Sequence, residues 1–359
     1  EIGAGGGSLA HVDGMNQIRV GPESAGSEPG PACYGRGGTR PAVTDADLIL
    51  GKLDPENFAA GTIPLSREDA AKALETELGQ KLDLPVIEAA WGLAEVVDEN
   101  MANAARVHAV ENGEDLADYT MIAFGGAAPL HAARLCEKLG VKRCLIPQGA
   151  GVGSAIGFLR APFSFEANRS VFMRLSSFVP TEVIKLFAEM AEEATRFVRS
   201  CDATASIDTE YKVYMRYSGQ GWEIPVPLSQ AEARKADPAV FLARFERDYA
   251  KLFGRIVDGM EAEITVWSVN AFTPSTRSGT ATEVKSVSNP DSPASRMLFD
   301  QALGCEAEAK IYPRSAMTAG SKVNGPAIIT EDETTIILSA SCTATTLSDG
   351  TIDVTVKGA

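Results

Sequence analysis

Residues 119–146, YTMIAFGGAAPLHAARLCEKLGVKRCLI, decide the fold of this chain. A short apolar run, Tyr119–Phe124, leads into a tight glycine turn and then into a segment of helical character, Leu130–Leu139, which Gly140 ends. A second apolar run, Arg143–Ile146, follows. Strand, glycine turn, helix and strand in this order predict a βαβ unit, and therefore a parallel sheet at least locally.

Two long segments of helical character flank this unit. Residues 86–112 carry apolar side chains on one helical stripe and stop before Gly113, a residue typical of helix C-termini. Residues 181–200 form a second amphipathic stripe, and from about residue 165 the pattern mixes helices with strands. We therefore expect an α/β lobe over residues 1–165 and an α+β, strand-rich region with terminal β strands over residues 166–359.

Shorter patterns predict the remaining elements. Alternation of polar and apolar residues predicts an antiparallel strand pair, Tyr211–Tyr217 with Trp222–Val226, and a further strand over Ala262–Phe272. Residues 273–295, rich in Ser, Thr and Pro, are expected to form an exposed loop. Residues 1–47, dense in Gly and Pro, are expected to form turns and structured loops.

The composition argues against several classes of function. The 359 residues carry a formal net charge of −15, whereas a general nucleic-acid binder needs clustered Lys and Arg. The sequence contains no stretch of 18 apolar residues, so no membrane span is expected. The six cysteines are scattered and form no CxxC pair, which indicates free thiols in a reducing cytoplasm.

A glycine run, Gly3-Ala4-Gly5-Gly6-Gly7-Ser8, is the first candidate site. Glycines let backbone N–H groups approach an anion closely, so Gly5, Gly6 and Gly7, with the hydroxyl of Ser8, are candidates to cradle phosphates. The run matches neither the Walker A loop nor the dinucleotide GxGxxG pattern, and a flexible loop is the alternative. Because the chain starts with Glu1 almost inside this run, we expect it to be the C-terminal part of something longer.

The turn between the predicted strand and helix is the second candidate site. Gly125, Gly126, Ala127 and Pro129 lie where backbone amides meet the positive end of a helix, which suits a nucleotide or another flat polar ligand. His131 falls on the first helical turn after them. The alternatives are an ordinary tight turn and, for His131, an ordinary place on a helix surface.

The segment around residue 45 carries two further candidates. Asp45, together with Asp47, could bind a hydrated cation, so Asp45 is the candidate metal ligand. In the alternative interpretation these carboxylates cap the following helix. Cys33 has Arg36 nearby, but no histidine partner for a nucleophilic thiol is apparent.

Together these segments resemble the A-type subunit of the hydantoinase/oxoprolinase family. The matching stretches occur in the family's order and cover nearly the whole chain: GAGGGS (3–8), SAGSEPGPACYGRGG (24–38), VTDADLILGKL (43–53), NMANAARVHAVENGEDLADYTMIAFGGAAPLHA (100–132), GAGVGSAIGFL (149–159), RYSGQGWEI (216–224) and GPAIITEDETTIIL (325–338). Two departures are Ala128, where the family commonly has Gly, and Asp47, where it commonly has Asn.

The resemblance implies a fold and a truncation. The family's A subunits are longer, and their first half carries an acidic-Gly-Gly-Thr phosphate loop that this chain lacks. The chain would thus be the C-terminal half of such a subunit. The family looks like the actin-like/sugar-kinase ATPases, in which two lobes clasp a nucleotide. The expected fold is therefore one actin-like α/β lobe followed by a smaller α+β domain. GAGGGS would be its second phosphate loop, and FGGAAPLH would lie by the adenosine.

The resemblance also implies an activity. With ATP and Mg²⁺, the A subunit would phosphorylate the amide oxygen of a cyclic amide (hydantoin, 5-oxoproline or another lactam), and a B-type subunit would complete hydrolysis. One alternative is a subunit of an ATP-dependent carboxylase for acetone or acetophenone. Another is a non-catalytic scaffold that holds a partner subunit.

Overall fold

The computed structural model describes residues 2–274, 282, 284, 291–292 and 294–357. The described helices are α1 (Val43–Ile49), α2 (Arg67–Leu74), α3 (Gln80–Leu82), α4 (Val86–Asn112), α5 (Ala128–Leu139), α6 (Gly153–Arg160), α7 (Pro180–Cys201), α8 (Gln230–Lys235) and α9 (Pro238–Phe253). The described strands are β1 (Ser8–Val12), β2 (Ile18–Ser24), β3 (Met121–Ile122), β4 (Arg143–Ile146), β5 (Ser164–Arg169), β6 (Met173–Arg174), β7 (Asp208–Tyr217), β8 (Ile224–Leu228), β9 (Ala262–Phe272), β10 (Ala294–Asp300), β11 (Cys305–Pro313), β12 (Lys322–Asn324), β13 (Ala327–Thr330), β14 (Thr335–Leu338), β15 (Cys342–Thr346) and β16 (Ile352–Val356).

The chain is a mixed α/β protein with several sheets, and it forms two compact units. The first unit contains Glu1–Gly157 and Gly279–Ala359, and the second contains Phe158–Ser278. In the first unit, strands lie in the orders β1-β2, β10-β11-β13-β14 and β12-β15-β16-β4-β3. In the second unit the order is β5-β9-β7-β8, with β6 also paired to β9.

The compact units differ from the division into residues 1–165 and 166–359 that chain order suggested. The terminal strands return to the first unit because β16 pairs with β4 antiparallel, from Ile352 opposite Ile146 to Thr355 opposite Arg143. The second unit is thus inserted into the first along the sequence. A pairing between segments this far apart leaves no local pattern in the sequence.

The βαβ unit has the predicted order. β3 and β4 are parallel, with Met121 opposite Cys144, and α5 connects them. The helix begins at Ala128 rather than Leu130 because Pro129 suits the first helical turn, where its missing N–H has no intrahelical partner to lose. The first strand is shorter than Tyr119–Phe124: β3 covers Met121–Ile122 and, among the described strands, pairs with β4 alone.

The N-terminal segment carries more regular structure than its glycines suggested. β1 and β2 form an antiparallel pair, with Val12 opposite Ile18. Next to this pair, α4 buries Ala89, Leu93 and Val97 in a cluster that also contains Ala46 of α1. The core of the first unit therefore fixes α1, which lies between the two glycine-rich segments in sequence.

The second unit is an antiparallel sheet with helices packed on one face. The predicted pair is confirmed, since Tyr211 of β7 lies opposite Leu228 of β8. Its core contains Trp267 of β9 and Phe241 of α9. The predicted loop over residues 273–295 lies mostly outside the described residues. Within the described part of the chain, we find no helix that combines the length and apolarity needed to cross a membrane.

Candidate functional site

The two predicted glycine turns lie side by side in the first unit. A Cβ atom placed on Gly6 would be 3.9 Å from the Cβ of Ala127. The fold thus joins two segments that are more than a hundred residues apart in sequence. Nothing in either local pattern indicated this contact.

The first turn, Gly5–Ser8, is held by its own serine. The Ser8 N–H donates to the Gly5 carbonyl (3.0 Å), and the Ser8 hydroxyl accepts from the Gly5 N–H (3.0 Å) and donates to the Gly3 carbonyl (3.3 Å). Ser8 is buried, so its hydroxyl stabilises the turn rather than facing an open surface. A ligand-donor role for Ser8 stays a prediction.

Close approach, rather than an unusual backbone angle, explains two glycines of this turn, Gly6 and Gly7, since a Cβ on either would lie 2.9 Å from a hydroxyl oxygen. None of Gly5, Gly6 and Gly7 has a positive φ. A Cβ on Gly6 would lie 2.9 Å from the Thr44 hydroxyl, whereas a Cβ on Gly5 would have no neighbour within 4 Å. The turn is therefore packed on one side and open at Gly5.

The second turn opens helix α5. Gly125 has a φ of 111°, a conformation that favours glycine, and its N–H donates to the Ala150 carbonyl (2.7 Å). The Gly126 carbonyl accepts from the Thr334 hydroxyl (2.7 Å). Among the described residues, the N–H groups of Gly126 and Ala127 donate to no protein acceptor. Together with the positive end of α5, these two N–H groups can bind an anion.

A cavity of about 440 Å³ lies against the second turn. Its lining includes Gly126, Leu130, Phe58, Asp54 and the acidic segment 331–333. Carboxylates repel phosphates but accept hydrogen bonds from hydroxyl and amino groups. The cavity therefore suits a neutral, donor-rich group, while the adjacent N–H groups suit an anion.

Asp45 caps backbone rather than facing solvent. Its carboxylate is fully buried and accepts from the N–H groups of Cys33 (2.7 Å), Ala42 (2.7 Å) and Ala32 (3.2 Å). Burial raises the pKa of Asp45, against the lowering effect of these N–H groups. No cluster of three His, Cys, Asp or Glu side chains suited to a metal occurs in the described ranges. The geometry favours the capping interpretation over the cation site.

Cys33 is fully buried beside Asp45. Burial raises the pKa of its thiol far above the ordinary value, and the Asp45 charge adds to this. A thiol held neutral in this way does not act as a nucleophile.

His131 lies inside the protein, not on a helix surface. Its Nδ1 is 2.8 Å from an oxygen of Asp98 on α4, and its Nε2 is 3.3 Å from an oxygen of Asp47 on α1. The other Asp47 oxygen lies 2.9 Å from the Lys52 ammonium group. All four side chains are nearly inaccessible to solvent.

The charges of this cluster are set by their neighbours. Burial lowers the pKa of His131, but the carboxylates of Asp47 and Asp98 outweigh it and raise the pKa to about 9. Burial likewise raises the pKa of Asp47, while Lys52 and His131 lower it to about 2. At neutral pH the cluster therefore contains an imidazolium, His131, beside the carboxylate of Asp47.

Sequence reasoning missed two members of this cluster, Asp98 and Lys52, and their neighbour Gln301. Asp98 follows Ala94 by four residues, so an acidic residue on the apolar stripe of α4 was an available signal. Lys52 follows α1, and Gln301, which donates to Asp98 (3.1 Å), follows β10. Their local patterns carry no such signal.

Two family profiles match the chain. Hydantoinase/oxoprolinase matches residues 1–167, and the hydantoinase/oxoprolinase C-terminal domain matches residues 179–351. The chain belongs to the hydantoinase/oxoprolinase family. The resemblance drawn from the motifs is thereby confirmed.

Individual relatives extend along the whole chain. An uncharacterised protein of Methanocaldococcus jannaschii is 33% identical over 96% of this chain and 49% of its own length. The caprolactamase subunit alpha of Pseudomonas jessenii is 30% identical over 94% of this chain and 49% of its own length. The chain therefore spans about half the length of these two relatives.

Solved structures agree with this fold. The ATP-dependent caprolactamase from Pseudomonas jessenii has a TM-score of 0.74 at 28% identity, over 98% of this chain and 52% of that one. A nucleotide-free acetone carboxylase has a TM-score of 0.79 at 23% identity, over 98% of this chain and 51% of that one, and this likeness concerns the fold alone. Family relatives also include 5-oxoprolinases and carboxylase subunits.

Proposed function

We propose that this chain is the nucleotide-binding C-terminal part of an A-type subunit that uses ATP to open a cyclic amide. The observation that carries the proposal is the contact between the two glycine turns, one of which offers unpartnered N–H groups at a helix start. Membership of a family that includes an ATP-dependent caprolactamase supports ATP as the anionic ligand.

The proposed nucleotide lies across the glycine turns. Its phosphates bind at Gly5, Gly6 and Gly7 and at the N–H groups of Gly126 and Ala127, where the α5 dipole favours negative charge. Its adenosine hydroxyl and amino groups face the acidic cavity beside Gly126. Pro129 and His131 do not line this cavity, and they act on the nucleotide indirectly, by holding α5 in place. In this actin-like arrangement the N-terminal half of the subunit would complete the clasp.

The described residues alone do not fit Mg²⁺. Both oxygens of Asp45 are used by backbone N–H groups, and the described part of the chain offers no cluster of metal ligands. Magnesium would instead come with the nucleotide phosphates and with groups of the other half. Transfer of the γ-phosphoryl group to the amide oxygen, with release of ADP, would leave a carbon that water can attack.

The proposed partners follow from the same assignment. A B-type subunit would complete hydrolysis of the phosphorylated cyclic amide, with loss of phosphate and cleavage of the ring C–N bond. The free cysteines are consistent with a cytoplasmic protein.

Nucleotide binding by the full-length subunit tests the proposal. Gly126→Val should raise the Kd for Mg-ADP at least about tenfold, because the new side chain fills the ligand approach. It should leave the fold intact, since a Cβ on Gly126 meets only the Glu333 carbonyl, at 3.8 Å. Gly157→Val, at a position where a Cβ meets nothing within 4 Å, is the matched control.

Two results would refute the proposal. One is that the wild-type subunit binds neither ATP nor ADP in the presence of Mg²⁺. The other is that Gly126→Val binds Mg-ADP as tightly as the control does. Substrate class follows from ATP turnover with the B-type subunit present. Stimulation by ε-caprolactam, 5-oxoproline or hydantoin supports the amide hydrolase, whereas stimulation by a ketone with bicarbonate favours a carboxylase.

A further inference from the structure

Helix α1 contacts the first glycine turn and the helix that follows the second turn, α5, through residues on one face. The Thr44 N–H and hydroxyl both donate to the Gly6 carbonyl, each at 2.8 Å. Three residues later, Asp47 pairs with His131 on the first turns of α5. Residues three apart share a helix face, so Thr44 holds the first turn and Asp47 holds the start of α5 from the same face of this short helix.

A second element holds His131 from the other side. Asp98 of α4 is fully buried, and its two oxygens contact His131 (2.8 Å) and Gln301 (3.1 Å). The start of α5 is thus clamped between a carboxylate of α1 and a carboxylate of α4. His131 follows Ala127 by four residues, so a movement of the imidazole relative to α1 displaces the second turn.

The link between α1 and α5 depends on charge more than on aligned hydrogen bonds. Among the described residues, His131 Nε2, Lys52 Nζ and one Asp47 oxygen are buried without a well-aligned hydrogen bond, although they lie at ion-pair distances. An uncharged replacement of His131 would therefore lose most of this attraction. It would also leave Asp47 with Lys52 as its remaining partner.

We infer that His131, held by Asp47 and Asp98, is a positioning residue that sets the second glycine turn against the first. The expected effect on nucleotide affinity rests on the proposed function, whereas the expected effect on the position of the second turn does not. The spacing between the turns decides whether one ligand can contact N–H groups from both. His131 thus acts on affinity through α5, without touching the ligand.

Two readouts on the full-length subunit test this inference. Hydrogen exchange should be faster in His131→Gln than in wild type at the hydrogen-bonded N–H groups of the two turns, those of Gly5, Ser8, Gly125 and Leu130. Val354→Ala, which deletes buried methyl groups from β16 in the same unit, is the control and should leave both turns protected. If His131→Gln does not fold, Asp98→Asn, which keeps the side-chain shape, takes its place.

The second readout is the Kd for Mg-ADP. His131→Gln should raise it at least tenfold, and Val354→Ala less than twofold. Thr44→Val should raise it as well, and the effects of Thr44→Val and His131→Gln should be non-additive, because both act on one spacing. Additive effects, or unchanged exchange at both turns, would overturn the inference. A wild type that binds no nucleotide would refute the proposed function alone, and the exchange readout would still decide the positioning role.

Discussion

Replacement of His131 by Gln should remove a pH-dependent part of the stability of the first unit. His131 is fully buried, and its pKa is raised from 6.5 to about 9 because the carboxylates of Asp47 and Asp98 outweigh the effect of burial. A group whose pKa is raised by folding binds more protons in the folded state. Its contribution is therefore complete below pH 6.5 and is lost as the pH rises through 9.

The size of the effect follows from the two pKa values. The difference between 6.5 and about 9 corresponds to about 3 kcal/mol, since each pKa unit is worth about 1.4 kcal/mol. Below pH 6.5 this contribution to the free energy of unfolding is fully present in the wild type and absent from His131→Gln. By about pH 9.5 nearly all of it has gone, so the difference between the two proteins should shrink by about 3 kcal/mol over this range.

Urea-induced unfolding, followed by circular dichroism between pH 6 and 9.5, measures this difference. His108→Gln, the same substitution at an exposed histidine of α4, controls for the chemical change itself and should alter the free energy of unfolding by less than about 0.5 kcal/mol. A gap between wild type and His131→Gln that stays constant across this pH range would refute the reasoning. In that case His131 would not be a buried imidazolium.

Two further predictions concern packing and accessibility. Gly151→Ala should lower the free energy of unfolding by about 1–3 kcal/mol, because its Cβ would lie 2.7 Å from the Glu333 carbonyl oxygen. Gly157→Ala is the control and should not destabilise the protein. Thermal melts in which Gly151→Ala, like the control, coincides with wild type would contradict this prediction. Under native conditions a thiol reagent should react quickly with two exposed cysteines, Cys201 and Cys305, and slowly with the four buried ones. Mass spectrometry measures the labelling rate of each cysteine. Labelling of Cys33 as fast as that of Cys201 would disagree with the described burial.

Elements with a strong local period could be predicted from the sequence. α4 spans Val86–Asn112 and ends at Gly113 in a left-handed conformation, because an apolar stripe and a C-terminal glycine are local signals. β4 and β9 have the predicted bounds for the same reason. The βαβ order followed from the alternation of apolar runs and a glycine turn.

Features that depend on pairs of distant segments could not be predicted in this way. The pairing of β16 with β4 joins residues about two hundred positions apart, so the division of the chain into compact units was not visible. β1 lay hidden because glycine and proline dominate its neighbourhood. The glycine turns were recognised as sites, but their contact depends on α1, which packs on α4.

The candidate site shows the same limit at the level of single side chains. His131 was identified from its place after a glycine turn, yet its charge depends on Asp47 and Asp98, which belong to two other helices. Asp45 was identified from an acidic pair, yet its capping role depends on where the backbone of Ala32 and Cys33 lies. Residue type predicts what a side chain can bind, and only the fold decides which partner occupies it.

The discontinuous first unit has a consequence for biosynthesis. On the ribosome the second unit is complete once residue 278 has emerged, whereas the sheet β12-β15-β16-β4-β3 then consists only of β3 and β4. A two-stranded pair is not stable alone, so Cys144 and Ile146 stay accessible until β16 is made. We therefore expect nascent chains that stop before Ile352 to be protease-sensitive around α5, with the inserted second unit already resistant.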